Sequence, residues 1–101
     1  MTLVDSHCHL DDPQFDSDRE AVIARALAAG VTTMLAVGTG EGPPDLEAGI
    51  RLADRRCGTG VLACPALVLA TVGVHPHDAR KAGLETWSKL EALLSHPKVV
   101  A

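Results

Sequence analysis

Apolar positions along the chain alternate between two regimes, short continuous runs and stripes at helical spacing. Leu3 and Val4 form a brief apolar run that predicts a strand over residues 2–5, ending at the polar segment DSHCH (5–9). Asp11, Asp12, Pro13 and Gln14 read as loop. Ser17 followed three residues later by Glu20 has the form of a capping box. Ala21, Val22, Ile23, Ala26 and Leu27 then give a helical stripe, with Gly30 as its stop. Val31 to Val37 predict a second strand, and Gly38 to Gly42 a loop. Pro43 and Pro44 suit the first turn of a second helix, carried by Leu46, Ile50, Leu52 and Ala53 to about Arg55. Leu67 to Val74 is a near-continuous apolar run, the pattern of a parallel strand buried on both faces. His75 to Asp78 read as loop. Leu84, Trp87, Leu90, Leu93 and Leu94 recur at helical spacing, and Lys98 to Ala101 begin a fourth strand. Residues 57–66 fit neither regime: Gly58, Gly60 and Pro65 interrupt a segment too apolar for a solvated loop, so it reads as an insertion.

The order βα, βα, βα, β predicts a parallel α/β architecture. In such folds chemistry gathers beyond the carboxyl ends of the strands. His7, His9, Gly38 and His75 all follow a predicted strand, which points to one shared site.

Composition narrows the function. At 101 residues the chain is one ordinary domain at most, and 47% hydrophobic content is enough for a core. With Phe15 and Trp87 its only large aromatics, that core is aliphatic. A net charge of −4 argues against a broad basic groove for nucleic acid, so a phosphate substrate would need bound metal to supply positive charge. Cys8, Cys57 and Cys64 are odd in number and lack zinc-finger spacing, which suggests reduced thiols. No apolar run reaches membrane-spanning length, and no basic patch precedes an apolar run at the start. A cytoplasmic protein is expected.

Residues two apart in a strand face one side, so His7 and His9 point together and Cys8 points away. Two converging imidazoles suit a divalent metal such as zinc or manganese, with Asp5 on the same face to orient a ligand. His75 is expected to contact substrate, and His77 and His96 to face solvent. Asp11, Asp12, Asp16 and Asp18 are best read as acids favoured near a helix N-terminus. GTGEG (38–42) lacks the Lys-Ser/Thr ending of a phosphate-binding P-loop.

Together, LVDSHCHLD (3–11) and ATVGVHPHD (70–78) resemble the start of TatD-family metal-dependent hydrolases, the TatD-related deoxyribonucleases. MLAVGTGEGPPDLEAGIRLA (34–53) is similar to the family's second strand and helix. D-S-H-x-H alone suits PHP-type or other amidohydrolase-like enzymes equally well; the pairing with G-V-H-P-H narrows it. The resemblance implies a (β/α)8 TIM-type barrel whose divalent metals, Mg, Mn or Zn, cleave phosphodiester bonds, commonly in DNA, with RNA or another ester left open. It implies His7 and His9 as metal ligands and His75 near the scissile phosphate. The family's bridging glutamate, in a G-E-x-G-L-D segment, and its later histidines and aspartate have no counterpart in these residues. Residues 1–101 are therefore expected to be an N-terminal fragment of one barrel domain, about three βα units and the start of a fourth strand. Alone it is expected to be inactive, and its open edges are expected to self-associate. Two alternatives stand beside this reading: a non-catalytic α/β interaction module, and a metallohydrolase of the amidohydrolase or PHP type.

Overall fold

The computed structural model describes residues 1–38, 42–55 and 66–101. The insertion expected at 57–66, with Cys57 and Cys64, lies outside the described residues except for Ala66, as do the middle residues of GTGEG.

Three parallel strands form one sheet in the order β1-β2-β3: β1 Leu3–Cys8, β2 Val31–Val37 and β3 Leu67–Thr71. Helices α1 (Arg19–Ala28) and α2 (Ala48–Arg55) occupy the connections, and α3 (Leu84–Leu93) follows β3. The alternation is that of an α/β fold, and the sheet is consistent with part of a TIM-type barrel. The chain's last residues continue the pattern: Ala70 N–H bonds to Lys98 O, Val100 N–H to Ala70 O and Val72 N–H to Ala101 O, with Val99 bridged in parallel to Ala70.

Strand periodicity of two decides where the core sits. Met34 and Ala36 of β2 lie beside Val68 and Ala70 of β3, and all four are buried. They meet Ile23 from α1 and Ile50, Leu52 and Ala53 from α2 in one apolar cluster. The alternate residues, among them Leu35, Val37, Leu69 and Thr71, are only half-buried. β3 is thus covered on one face rather than two, and it ends at Thr71, three residues before the apolar run does. Apolar surface removed from water contributes about 25 cal/mol per Å², so this helix-facing layer stabilises the sheet.

Local details depart from the sequence pattern in each of the three helices. α1 is N-capped by Asp18, with no side-chain hydrogen bond, so the Ser17–Glu20 box does not form. Arg19 holds this region instead: its guanidinium donates to the carbonyls of Leu10 and Asp12 and pairs with Asp16 at 2.8 Å. α1 stops where expected, with Gly30 at φ +97, a conformation that favours glycine. Pro43 and Pro44, joined by a cis peptide, lie in a turn bridged by Gly42 and Asp45, and α2 begins only at Ala48. The turn closes because Asp45 N–H bonds to Gly42 O at 2.8 Å. On α3 the expected packing stripe is mostly solvent-facing: Leu84, Trp87 and Leu94 are exposed, while Leu93 joins the edge of the core and Thr86 is buried. Thr86 closes the helix start by accepting from Gly83 N–H at 3.0 Å.

Candidate metal centre

β1 delivers His7 and leads directly into His9. The two Nε2 atoms lie 3.3 Å apart, with the rings near perpendicular at 77°. Each histidine makes one further hydrogen bond. The His7 N–H donates to Asp5 Oδ1 at 3.1 Å. The His9 ring contacts the carbonyl of Val37, at the end of β2, with Nδ1···O 3.1 Å. A carbonyl only accepts, so Nδ1 carries the proton and the neutral His9 ring presents a lone pair at Nε2.

The donor set fits a divalent ion. Two nitrogens bound at about 2.0–2.1 Å in tetrahedral geometry lie about 3.3–3.4 Å apart. The observed Nε2 separation is 3.3 Å. With the lone pair at His9 Nε2, the same spacing also suits a hydrogen bond from His7 Nε2–H. Among the described residues no third His, Cys, Asp or Glu joins the pair.

Two details differ from the sequence expectation. Asp5 does not orient an imidazole; it accepts a main-chain N–H, where two residues of β1 between Asp5 and Cys8 run against one of β2 and break the alternation. The orienting group is the Val37 carbonyl, which no side-chain motif encodes. Cys8 packs at the edge of the core, and its Sγ reaches Leu35 O at 3.4 Å. Burial, helped by the charge of Asp5, pushes its thiol up to about 11, so at neutral pH it is a protonated packing residue.

His75 shares the cleft. A hollow of about 350 Å³ is lined by His7, His9, Gly38, Thr71, His75 and neighbours at the carboxyl ends of β1, β2 and β3. His75 caps a 3₁₀ helix over Pro76–Lys81, where the sequence pattern suggested a loop. Its Nδ1 accepts from His77 N–H at 3.1 Å, so in the neutral ring Nε2 carries the proton. The backbone therefore selects opposite tautomers: a lone pair at His9 Nε2 and a donor at His75 Nε2. The first suits a cation and the second an anion. The His77 ring packs edge-on against His75 at 4.6 Å. His96 is half-buried rather than fully solvated, accepting from Lys98 N–H at 3.1 Å and facing Asp54 at 3.4 Å. Of the acids, Asp12 caps the 3₁₀ turn Pro13–Phe15 and Asp16 pairs with Arg19. No helix of the described residues is long and apolar enough to cross a membrane.

The sequence is similar to that of known proteins. The family described as TatD related DNase matches residues 4–101. The 3'-5' ssDNA/RNA exonuclease TatD of Cronobacter turicensis is 39% identical over 101 residues, covering 98% of this chain and 34% of the relative. The proteins of the same name from Enterobacter lignolyticus and Musicola paradisiaca are 37% and 38% identical, with the same coverage. The chain thus spans about a third of the length of the curated relatives it matches.

Proposed function

The chain belongs to the TatD related DNase family, and from that membership we propose that it carries the His7–His9 arm of a divalent-metal centre in a hydrolase of nucleic-acid phosphodiester bonds. The observation that carries the reading is the 3.3 Å approach of two Nε2 atoms beside His75 in one cleft. His7 and His9 would hold the ion, and the Val37 carbonyl keeps the His9 lone pair aimed at it. When bound, the metal supplies Lewis acidity toward a phosphoryl oxygen and lowers the pKa of bound water. His75 Nε2–H would donate to a non-bridging phosphate oxygen and hold the scissile group in place. The relatives' names support single-stranded DNA or RNA as the substrate. Zinc suits the nitrogen spacing, and manganese or magnesium suits phosphate chemistry. The free Cys8 thiol accords with a cytoplasmic setting.

Two imidazoles fill half of a tetrahedral shell, so these 101 residues alone should bind metal weakly and leave DNA intact. Calorimetric titration with Zn²⁺ and Mn²⁺, on the wild type and on His7→Ala/His9→Ala, tests the site. Equal binding by both proteins refutes it. Incubation with labelled single-stranded DNA and Mn²⁺ tests the second statement, which fails if cleavage appears and vanishes in His7→Ala.

A further inference from the structure

A second, larger hollow of about 560 Å³ opens between the Gly42–Asp45 turn and the start of α3. Pro43, Pro44, buried Leu46 and exposed Leu84 give it apolar walls, and Lys81 and Lys89 stand among its lining residues. We propose that this hollow receives a nucleobase of the single strand whose phosphate lies at His75, one or two nucleotides from the metal cleft. The inference rests on the hydrolase reading and adds a substrate subsite to it.

Position is the first argument. The 3₁₀ helix Pro76–Lys81 joins the two hollows: Pro76 lines the histidine cleft and Lys81 lines this one. Five steps at about 2.0 Å of rise separate them by about 10 Å, the reach of one or two nucleotides of an extended strand. The turn packs directly on this helix, since a Cβ at Gly42 would lie 2.6 Å from the Asp78 side chain. The two hollows are therefore ends of one surface at the carboxyl side of the sheet.

Chemistry is the second. Flat, apolar pyrrolidine and leucine surfaces suit the face of a base, and unpaired bases of a single strand are free to splay outward. Lys81 pairs with Asp78 at 2.7 Å and Lys89 with Glu47 at 3.2 Å, and Lys89 also donates to Pro44 O at 3.3 Å. Both lysine side chains remain close to half exposed, at 46% and 42%, so their ammonium groups border the hollow where flanking phosphates would run. Glu85 adds a carboxylate to the lining, which disfavours a bare anion and favours a base with its own hydrogen-bond donors.

The test is fluorescence anisotropy of a labelled oligothymidine on the whole chain with Ca²⁺, with one abasic residue placed in turn at each position. The variants are Leu84→Asp and, for the phosphate, His75→Ala. Leu84 is 88% exposed, so its substitution leaves folding intact, which urea unfolding verifies. The expected result is a loss of about three- to tenfold in affinity at one abasic position, a similar loss in Leu84→Asp, and no further loss when the two are combined. Weakening by His75→Ala, with no positional abasic effect and no effect of Leu84→Asp, overturns the base subsite and leaves the hydrolase reading standing. A wild-type chain that binds no oligonucleotide overturns both.

Discussion

Gly38, immediately after β2, and Gly49, in the first turn of α2, touch backbone to backbone: a Cβ at Gly38 would lie 2.7 Å from Gly49 N and 2.8 Å from its Cα. α2 can sit on the end of β2 only because neither residue has a side chain. Gly38→Ala should therefore push the helix off the sheet and cost about 1–3 kcal/mol, read as a lower urea midpoint. Gly73→Ala is the control, since a methyl there meets nothing within 4 Å, and its midpoint should stay near wild type.

Acid should loosen the turn before α2. Arg51 donates to both carboxylate oxygens of Asp45, at 2.9 and 2.6 Å, and this pairing holds the Asp45 carboxyl below the usual range. Because the folded-state pKa is depressed, the stabilisation is complete above the ordinary carboxylate pKa of about 3.9 and disappears as pH falls through the folded value. The pair is partly solvated, so at most about 1 kcal/mol is expected. Urea unfolding at acid and neutral pH should show Asp45→Asn losing part of the wild-type pH dependence.

The opposite tautomers of His9 and His75 are directly visible by long-range ¹H–¹⁵N correlation, at a pH well above the ordinary histidine pKa of about 6.5. His9 should carry its proton on Nδ1 and His75 on Nε2. The same tautomer in both rings would contradict the assignment of cation and anion sides to the cleft.

β1 is an edge strand of the described sheet, with Leu3 at 41% and Val4 at 63% exposure. An apolar free edge favours strand-to-strand association. Light scattering should report a mass that rises with concentration, and Val4→Lys should suppress the rise. A concentration-independent monomer in both proteins would mean that the edge is inert.

Much of this arrangement was legible from local pattern, and the exceptions share a cause. β2 has the bounds that the pattern predicts because a left-handed Gly30 and a β-branched start mark its beginning, and Gly38 marks its end. His7 and His9 were paired by strand period alone, and the structure brings their nitrogens together. What the pattern missed depends on partners distant in sequence. The Val37 carbonyl orients His9 from 28 residues away, and a main-chain group leaves no trace in a motif. Ser17 has the sequence form of a cap, but Arg19, tied to Leu10, Asp12 and Asp16, fixes that loop instead. Trp87 has helical spacing with Leu90 and Leu94 but faces outward, because the described part of the sheet offers α3 only a narrow contact through residues such as Leu93.

The pairing of β1 with β2 shifts register twice, whereas β2 and β3 run in unbroken register from Thr33–Leu67 to Val37–Thr71. The cleft thus lies between unequal strands: His7 sits on the loosely laced one, His9 directly follows it, and His75 follows the firmly laced one. Local unfolding should begin at β1, separating His9 from the Val37 carbonyl before the rest of the sheet yields. An ion closing on both imidazoles would act as a rivet on that edge. Affinity for metal and the free energy of seating β1 would then be one quantity measured from two directions, so a substitution that better laces β1 to β2 should tighten metal binding without touching a ligand.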